Sequence, residues 1–537
     1  MLHKLHIRRL FHITLLLVVI AGISSCGTTQ FRKDYYNVNT LLHDSTQFAT
    51  GTPWLKAHMK NGNIVIFYNT WEVDSAQTYI SGFGAQYDFN RQLITQDHLS
   101  IPIDDIALFE TNNPVQDNKG RISAITIMTG LDILFGVVCI TVPKACWGSC
   151  PTFYIDSTAT THYADAEGFS NAILPSMQYG DIDALPGSVL PGSTFRITLR
   201  NEALETHCID KVTLYAISTP TNKTAFQSVD NKFYLGDKNF ICSKANDENG
   251  EITALLEKAD TQERFSTTDE HNLKSKEAIY LNFPSAQAND SIGLLLRFRQ
   301  TLLPTYCYYN AVSYMGDFVG GINTLLETDE KIRNKFGHDG FLGALGGIDV
   351  HVWNESENDW KYEGAFNETG PIAINTQILP LSAFDSKDSI KIKLVLNKGL
   401  WRIDQAALVT DLHRTQAEAI SPHVINAAGG HEDAFSDYLS DSTNYLITYP
   451  GEHFYLDFPM PEQSDHYTAF LYSEGYYLEW MRGDWLADKN ILKLRYMLNF
   501  PNLYLKTEAS VFKEHEAAME QIFWNSRISQ PIFSSNE

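Results

Sequence analysis

Ile348-Asp349-Val350-His351-Val352-Trp353 and, further on, Ile390-Lys391-Ile392-Lys393-Leu394-Val395-Leu396 alternate apolar and polar residues. A period of two puts every second side chain on the same face, which is the pattern of a half-buried strand. Gly399-Leu400-Trp401-Arg402-Ile403-Asp404 follows and leads into a further apolar run. Strands at short, regular spacing, separated by Asn, Asp and Gly turns, give a β-sandwich domain over 344–415.

The same texture extends in both directions. Between 54 and 120, the turn dipeptide Asn61-Gly62 separates LKAHM from NIVIFY, and LSIPIDDIAL follows at 99–108. Several short strands in so small a span predict a small barrel, similar to SH3- or Sm-like barrels. The stretch 146–343 reads as a β-rich domain. Within it Tyr309, Val312, Met315 and Val319 recur at helical spacing and predict a helix near 306–326. Residues 244–275 are charged and polar and read as a loosely ordered surface insert; Asp247–Glu251 only echoes a calcium loop and is more simply a turn. The region 416–537 combines a strand at 445–456, a helical stripe from Tyr477, Trp480 and Met481, and an amphipathic helix over 511–527. The expected fold is mainly β with some helices: a small N-terminal SH3/Sm-like barrel, β-sandwich-type domains, and a C-terminal helical cap.

Lys4, Arg8 and Arg9 precede an apolar core and then Ser24-Ser25-Cys26-Gly27. That order makes residues 1–25 a secretory signal peptide. With its first mature cysteine the junction resembles a bacterial lipobox, which implies cleavage before Cys26 and lipidation of that thiol. The polar stretch 26–53 reads as a tether. The expected location is the bacterial cell envelope, membrane-anchored and facing the periplasm or the surface. A second apolar stretch, 121–145, reads as a buried or membrane-dipping helix; Asp132 inside it argues against a full span. The chain has 537 residues and a net charge of −23. So acidic a body repels phosphate backbones, so no nucleic-acid partner is expected.

Apart from Cys26, six cysteines remain, and sequence does not choose among their pairings. Cys146-Trp147-Gly148-Ser149-Cys150-Pro151 suggests a local disulfide between Cys146 and Cys150, with Cys150 extended before the proline. A Cys-x3-Cys spacing with no second pair nearby does not make a zinc site, and no metal or cofactor is expected. Glu202, Glu205, His207 and Asp210 crowd into nine residues, but on a strand Glu205 and His207 take the face opposite Glu202 and Asp210.

CWGSCPTFY, AEGFSNAILPSM, NEALETHCID, GLWRID and GYYLEWMR resemble a group of secreted bacterial lipoproteins, uncharacterised in function, with a GSCPTFY-type motif. The likeness runs from about residue 55 to the C-terminus and implies one coherent architecture but no catalytic residue. The 344–415 stretch is also similar in texture to jelly-roll carbohydrate-binding modules, which implies Trp353, Trp360 and Trp401 as glycan-stacking candidates. Core placement of these tryptophans is the competing expectation, and the favoured one. The chain holds no GxSxG elbow, phosphate loop or HExxH. A non-enzymatic binding or scaffolding role toward another envelope protein therefore ranks first, glycan binding second and an unrecognised hydrolase third.

Overall fold

The computed structural model describes residues 30–36, 55–115 and 150–527, with short breaks inside the last two stretches. The stretch expected as a signal peptide, Cys26, the 121–145 run and Cys146 lie outside the described residues. Within them no helix is long and apolar enough to cross a membrane.

The chain is mainly β. Its first sheet has six strands: β1 (Gln30–Tyr36), β2 (Leu55–Met59), β3 (Ile64–Val73), β4 (Tyr79–Tyr87), β5 (Leu93–Pro102) and β6 (Ile106–Val115). Their order is β1-β6-β2-β3-β4-β5. The sheet is a meander followed by a 3-10 turn at Ile103–Asp105 and a last strand that returns to pair with β2. Leu55, Ala57, Val65, Phe67 and Ile106 fill a core of its own. One correction concerns the tether expected over 26–53. Gln30–Tyr36 pairs residue for residue with β6 and covers its open edge. Lys56, fully buried, meets Glu327 at 3.7 Å and joins this sheet to the body.

The body packs four further sheets into a continuous apolar core. Two of them hold β7 (Thr194–Arg200) and β8 (Glu205–Ser218). The other two form the sandwich through β9 (Lys276–Pro284), β10 (Gly293–Gln300), β11 (Ile348–Asn354), β12 (Asp359–Phe366), β13 (Ser389–Asn397) and β14 (Trp401–Val409). β9, β13, β11 and β12 are consecutive in a six-stranded sheet, while β14 and β10 are neighbours in an eight-stranded one. Strands of 344–415 thus pair with strands of 276–300, and the sandwich draws on both stretches. Phe298 of β10 and Phe366 of β12 bring their rings within 5.4 Å across the interface.

Late in the chain β15 (His453–Pro459) returns to pair with β7, and β16 (Tyr467–Glu479) with β8. Tyr477 therefore lies in a strand and not in the expected helical stripe, whose other members, Trp480 and Met481, lie outside the described residues. Tyr467–Glu479 is rich in Tyr, Leu and Phe and has a fourteen-residue partner waiting, so long-range pairing overrides the short helical stripe. The 244–275 insert is also better ordered than its charge suggested. Arg264, 1% exposed, is gripped by Glu277 at 2.6 Å and Asp247 at 2.8 Å, so the charges neutralise one another indoors.

The helices gather beside the sandwich: α1 (Leu303–Met315), α2 (Val319–Thr328), α3 (Glu330–Phe336), α4 (Phe341–Leu345), α5 (Ile491–Asn499), α6 (Pro501–Thr507) and α7 (Ala509–Asn525). The helix expected at 306–326 is broken between α1 and α2 at Gly316. Its φ of +53° and the Lys489 side chain, 2.4 Å from where a Cβ would stand, admit only glycine there.

Candidate functional site

β11 alternates as its sequence says: Ile348, Val350 and Val352 are buried, while Asp349, His351 and Trp353 face outward. On the neighbouring strands Tyr280, Lys391, Lys393, Trp360 and Tyr362 face the same way. Register places Trp353 opposite Trp360, His351 between Lys393 and Tyr362, and Tyr280 opposite Lys393. The outcome is an aromatic face on the solvent side of the sheet. Trp353 and Trp360 meet edge to face at 5.3 Å, and Tyr280 approaches Trp360 at 5.9 Å. The Lys393 ammonium lies 4.9 Å from the Trp360 ring centre. His351 meets Tyr362 at 5.5 Å. Partial burial, then the Lys393 charge, hold the His351 imidazole below its ordinary value, so it presents a neutral ring.

The three candidate tryptophans therefore separate. Trp353 and Trp360 are half-buried partners on the outer face, with Tyr362 60% exposed beside them. Trp401 is 1% exposed and packs on Phe298 in the core. Parity explains the difference: β14 buries Trp401 and Ile403 against the body, whereas β11 turns Trp353 away from it. Sequence reasoning missed Tyr280 and Tyr362. Tyr280 alternates with Ile279 and Leu281, a signal that was available.

The crowded acidic-histidine stretch does not assemble a metal site. Glu202 accepts from Tyr154 at 2.7 Å and Thr152 at 2.9 Å, and Asp210 accepts from Gln178 at 2.8 Å. Among the described residues no group of three candidate ligands comes together. Glu205 and His207 do share a face, and Nε2 of His207 lies 2.8 Å from Glu205 while Nδ1 lies 3.1 Å from the Thr448 hydroxyl. This imitates a nucleophile–base–carboxylate relay, yet all three residues are 0% exposed. It fastens β8 to the strand Leu446–Thr448, with Nε2–H donating to Glu205 and the hydroxyl donating to Nδ1.

Burial lowers the His207 pKa from 6.5 to about 3. A neutral form favoured by folding stabilises fully above 6.5, and that stability is lost as pH falls from 6.5 toward 3. The loss is at most roughly 5 kcal/mol. His207→Gln should flatten this part of a urea-denaturation profile against pH; an unchanged slope would show that His207 does not carry it.

The clasp under the GSCPTFY motif is structural too. Glu167 accepts from Ser170 at 2.6 Å and from the backbone N–H groups of Ala373, at 2.6 Å, and Ile372. Cys150 Sγ lies 3.2 Å from the Ser170 hydroxyl. The extended geometry expected at Cys150 is corrected: its φ is +77°, a left-handed turn that brings the thiol inward to Ser170 and Glu167. The proposed partner Cys146 lies outside the described residues.

A groove of about 740 Å³ runs between α7 and the sandwich, lined by Phe265, Leu302, Arg402, Phe512, Glu516 and Trp524. Its charges are already matched. Glu516 takes the Thr268 N–H at 2.6 Å and Lys513 at 2.8 Å, and Arg402 Nε donates to Glu520 at 2.7 Å. These contacts dock the last helix, with both carboxylates engaged.

No family model matches the chain, and no curated protein matches it. Among solved structures, one match is "Structure of infectious bursal disease virus Gt strain", 9% identical, covering 69% of this chain and 93% of that one at a TM-score of 0.13. A score so low carries no argument.

Proposed function

We propose that this chain is a lipid-anchored cell-envelope protein, held by acylated Cys26, that binds glycan on the aromatic face formed by Trp353, Trp360, Tyr280 and Tyr362. The observation that carries the reading is that two tryptophans and two tyrosines lie together on the solvent side of a sheet whose other side supplies the core. A pyranose ring has an apolar C–H face that matches an aromatic plane, and its hydroxyls match neighbours such as Lys391, Lys393 and Asp349. A cross-strand aromatic pair also stabilises the sheet by roughly 0.2–1 kcal/mol. That modest gain does not call for four large rings turned to solvent. Sequence alone ranks a protein partner first; the aromatic face reverses the order.

The test is retention of the full-length protein, in mild detergent, on a panel of neutral and uronate-bearing polysaccharides. Covering one aromatic face is worth roughly 1.5–3 kcal/mol, so Trp353→Ala or Trp360→Ala should weaken retention about ten- to hundredfold. Their melting temperatures should stay near that of the parent. Retention untouched by both changes, or absent throughout the panel, would overturn the glycan reading. The anchor is checked separately: fatty-acid labelling should be present in the parent and lost in Cys26→Ala.

A further inference from the structure

α5 and α6 make a locally basic stretch. From Lys489 to Lys506 the sequence KNILKLRYMLNFPNLYLK carries Lys489, Lys493, Arg495 and Lys506 and no acidic residue, in a protein of net charge −23. Leu492 and Tyr496 lie four apart on α5, Phe500 is the non-helical junction whose ring lies 6.2 Å from that of Tyr496, and Leu503 stands in α6, so the apolar stripe bends at the junction. The stripe does not face the core: Leu492 is 77% exposed, Phe500 56% and Leu503 51%. Phe318, 52% exposed, continues the face from the turn before α2, with the Lys489 ammonium 4.4 Å from its ring centre. Lys335 of α3 and Lys274 border it through Asn499, at 2.7 Å, and Asn502, at 2.6 Å. Eight large apolar side chains among the described residues are more than half exposed, and four of them are in this one place.

We infer that this helical face is seated in the headgroup layer of the membrane that holds the lipid anchor. Exposed Leu and Phe framed by Lys and Arg on short helices match an interfacial position, with the apolar stripe entering the acyl boundary and the cations meeting anionic headgroups. The start of the described chain points the same way. β1 lies against the turn Gly316–Phe318, next to the patch. Cys26 is four residues before Gln30, a reach of at most roughly 14 Å. With β1 built into the first sheet, the anchor has little slack, and the surface beside β1 is the one drawn onto the bilayer. β9 and β11 start beside these helices: Leu273 N–H donates to Leu505, and Lys276 donates to the Leu345 carbonyl. Trp353 is five residues further along β11, roughly 17 Å away. The aromatic face therefore stays clear of the lipid.

The inference rests on the anchored-protein reading and is tested apart from it. Full-length protein is reconstituted into vesicles of phosphatidylethanolamine and phosphatidylglycerol, with a nitroxide on Leu492→Cys or Leu503→Cys and a control label on Tyr362→Cys. Labelled parent protein corrects for native thiols. Both helical positions are already exposed, so the substitutions leave the core alone. In the vesicle-bound fraction, collisions with a water-soluble nickel relaxant should fall several-fold at 492 and 503, relative to detergent, and stay unchanged at 362. Replacing phosphatidylglycerol by phosphatidylcholine should weaken the protection. Equal accessibility at all three positions, or no vesicle-bound fraction, overturns the proposal. Fatty-acid incorporation at Cys26, read on the same preparation, decides the anchor independently.

Discussion

Trp401→Ala is expected to destabilise the protein by about 3–5 kcal/mol, against about 1 kcal/mol or less for Trp360→Ala. Both are tryptophans in the sandwich, and the difference is where the strand points them. Trp401 is enclosed, with the Phe298 ring 5.8 Å away, and its removal leaves a cavity that the flanking sheets cannot close. Its indole nitrogen has no hydrogen-bond partner among the described residues, so Trp401→Phe should cost less than the alanine change, through volume alone. Urea denaturation of the three variants checks the ranking. Equal destabilisation by Trp360→Ala and Trp401→Ala would place both rings in the core and remove the basis for the aromatic face.

Arg299→Ala should be comparably damaging, by about 3–5 kcal/mol, for an electrostatic reason. Its guanidinium is 1% exposed and donates two parallel bonds to Glu263, at 2.6 and 2.7 Å, with a further bond to the Pro371 carbonyl at 3.0 Å. Burial works against its charge, but Glu263 and then Glu520 outweigh it and keep the group ionised. Without Arg299, Glu263 loses its two close bonds and keeps, among the described residues, only the Arg402 guanidinium, 3.8 Å away. The double change Arg299→Met/Glu263→Met should therefore be less harmful than Arg299→Ala, because no buried carboxylate is left without its close partner, and Arg402 and Glu520 still pair with each other. If the double variant is instead worse by the sum of both single changes, the pair does not interact. Arg299→Lys should not rescue, since a single ammonium cannot span both carboxylate oxygens.

The β character of the chain was legible because period-two alternation is a local property. Ile348–Trp353 and Ile390–Leu396 are strands, and Val511–Arg527 anticipates the closing helix within two residues. What failed was what depends on distant partners. Tyr477 and its neighbours could satisfy either period, and β8 decided the matter from far back in the sequence. The charge of 244–275 signalled exposure, while Arg264 and its two carboxylates paired inside. As for the candidate site, sequence named Trp353 and Trp360 but put Trp401 with them, because residue type says nothing about the parity of a strand. The basic, apolar run at 489–506 is visible in the sequence, but its exposure depends on how α5 and α6 pack and not on residue type.

The pairing of β8 with β16 also sets a timetable. Ser218 meets Tyr467 and Glu479 meets Glu205, so roughly 250 residues must still be polymerised after β8 before this longest partner exists, on the order of 10–50 s at cellular synthesis rates. β7 waits similarly for β15. During most of that interval a fourteen-residue strand, buried along most of its length in the finished protein, lacks its longest edge partner, and the short pairings with Glu418–Ile420 and Leu446–Thr448 come only late in it. Contacts this distant in sequence make assembly slow, and nascent chains would depend on a holding chaperone. A product terminated before residue 453 lacks β15 and β16, the longest partners of both strands, and should be an aggregate or a protease substrate, however many of its earlier strands are intact.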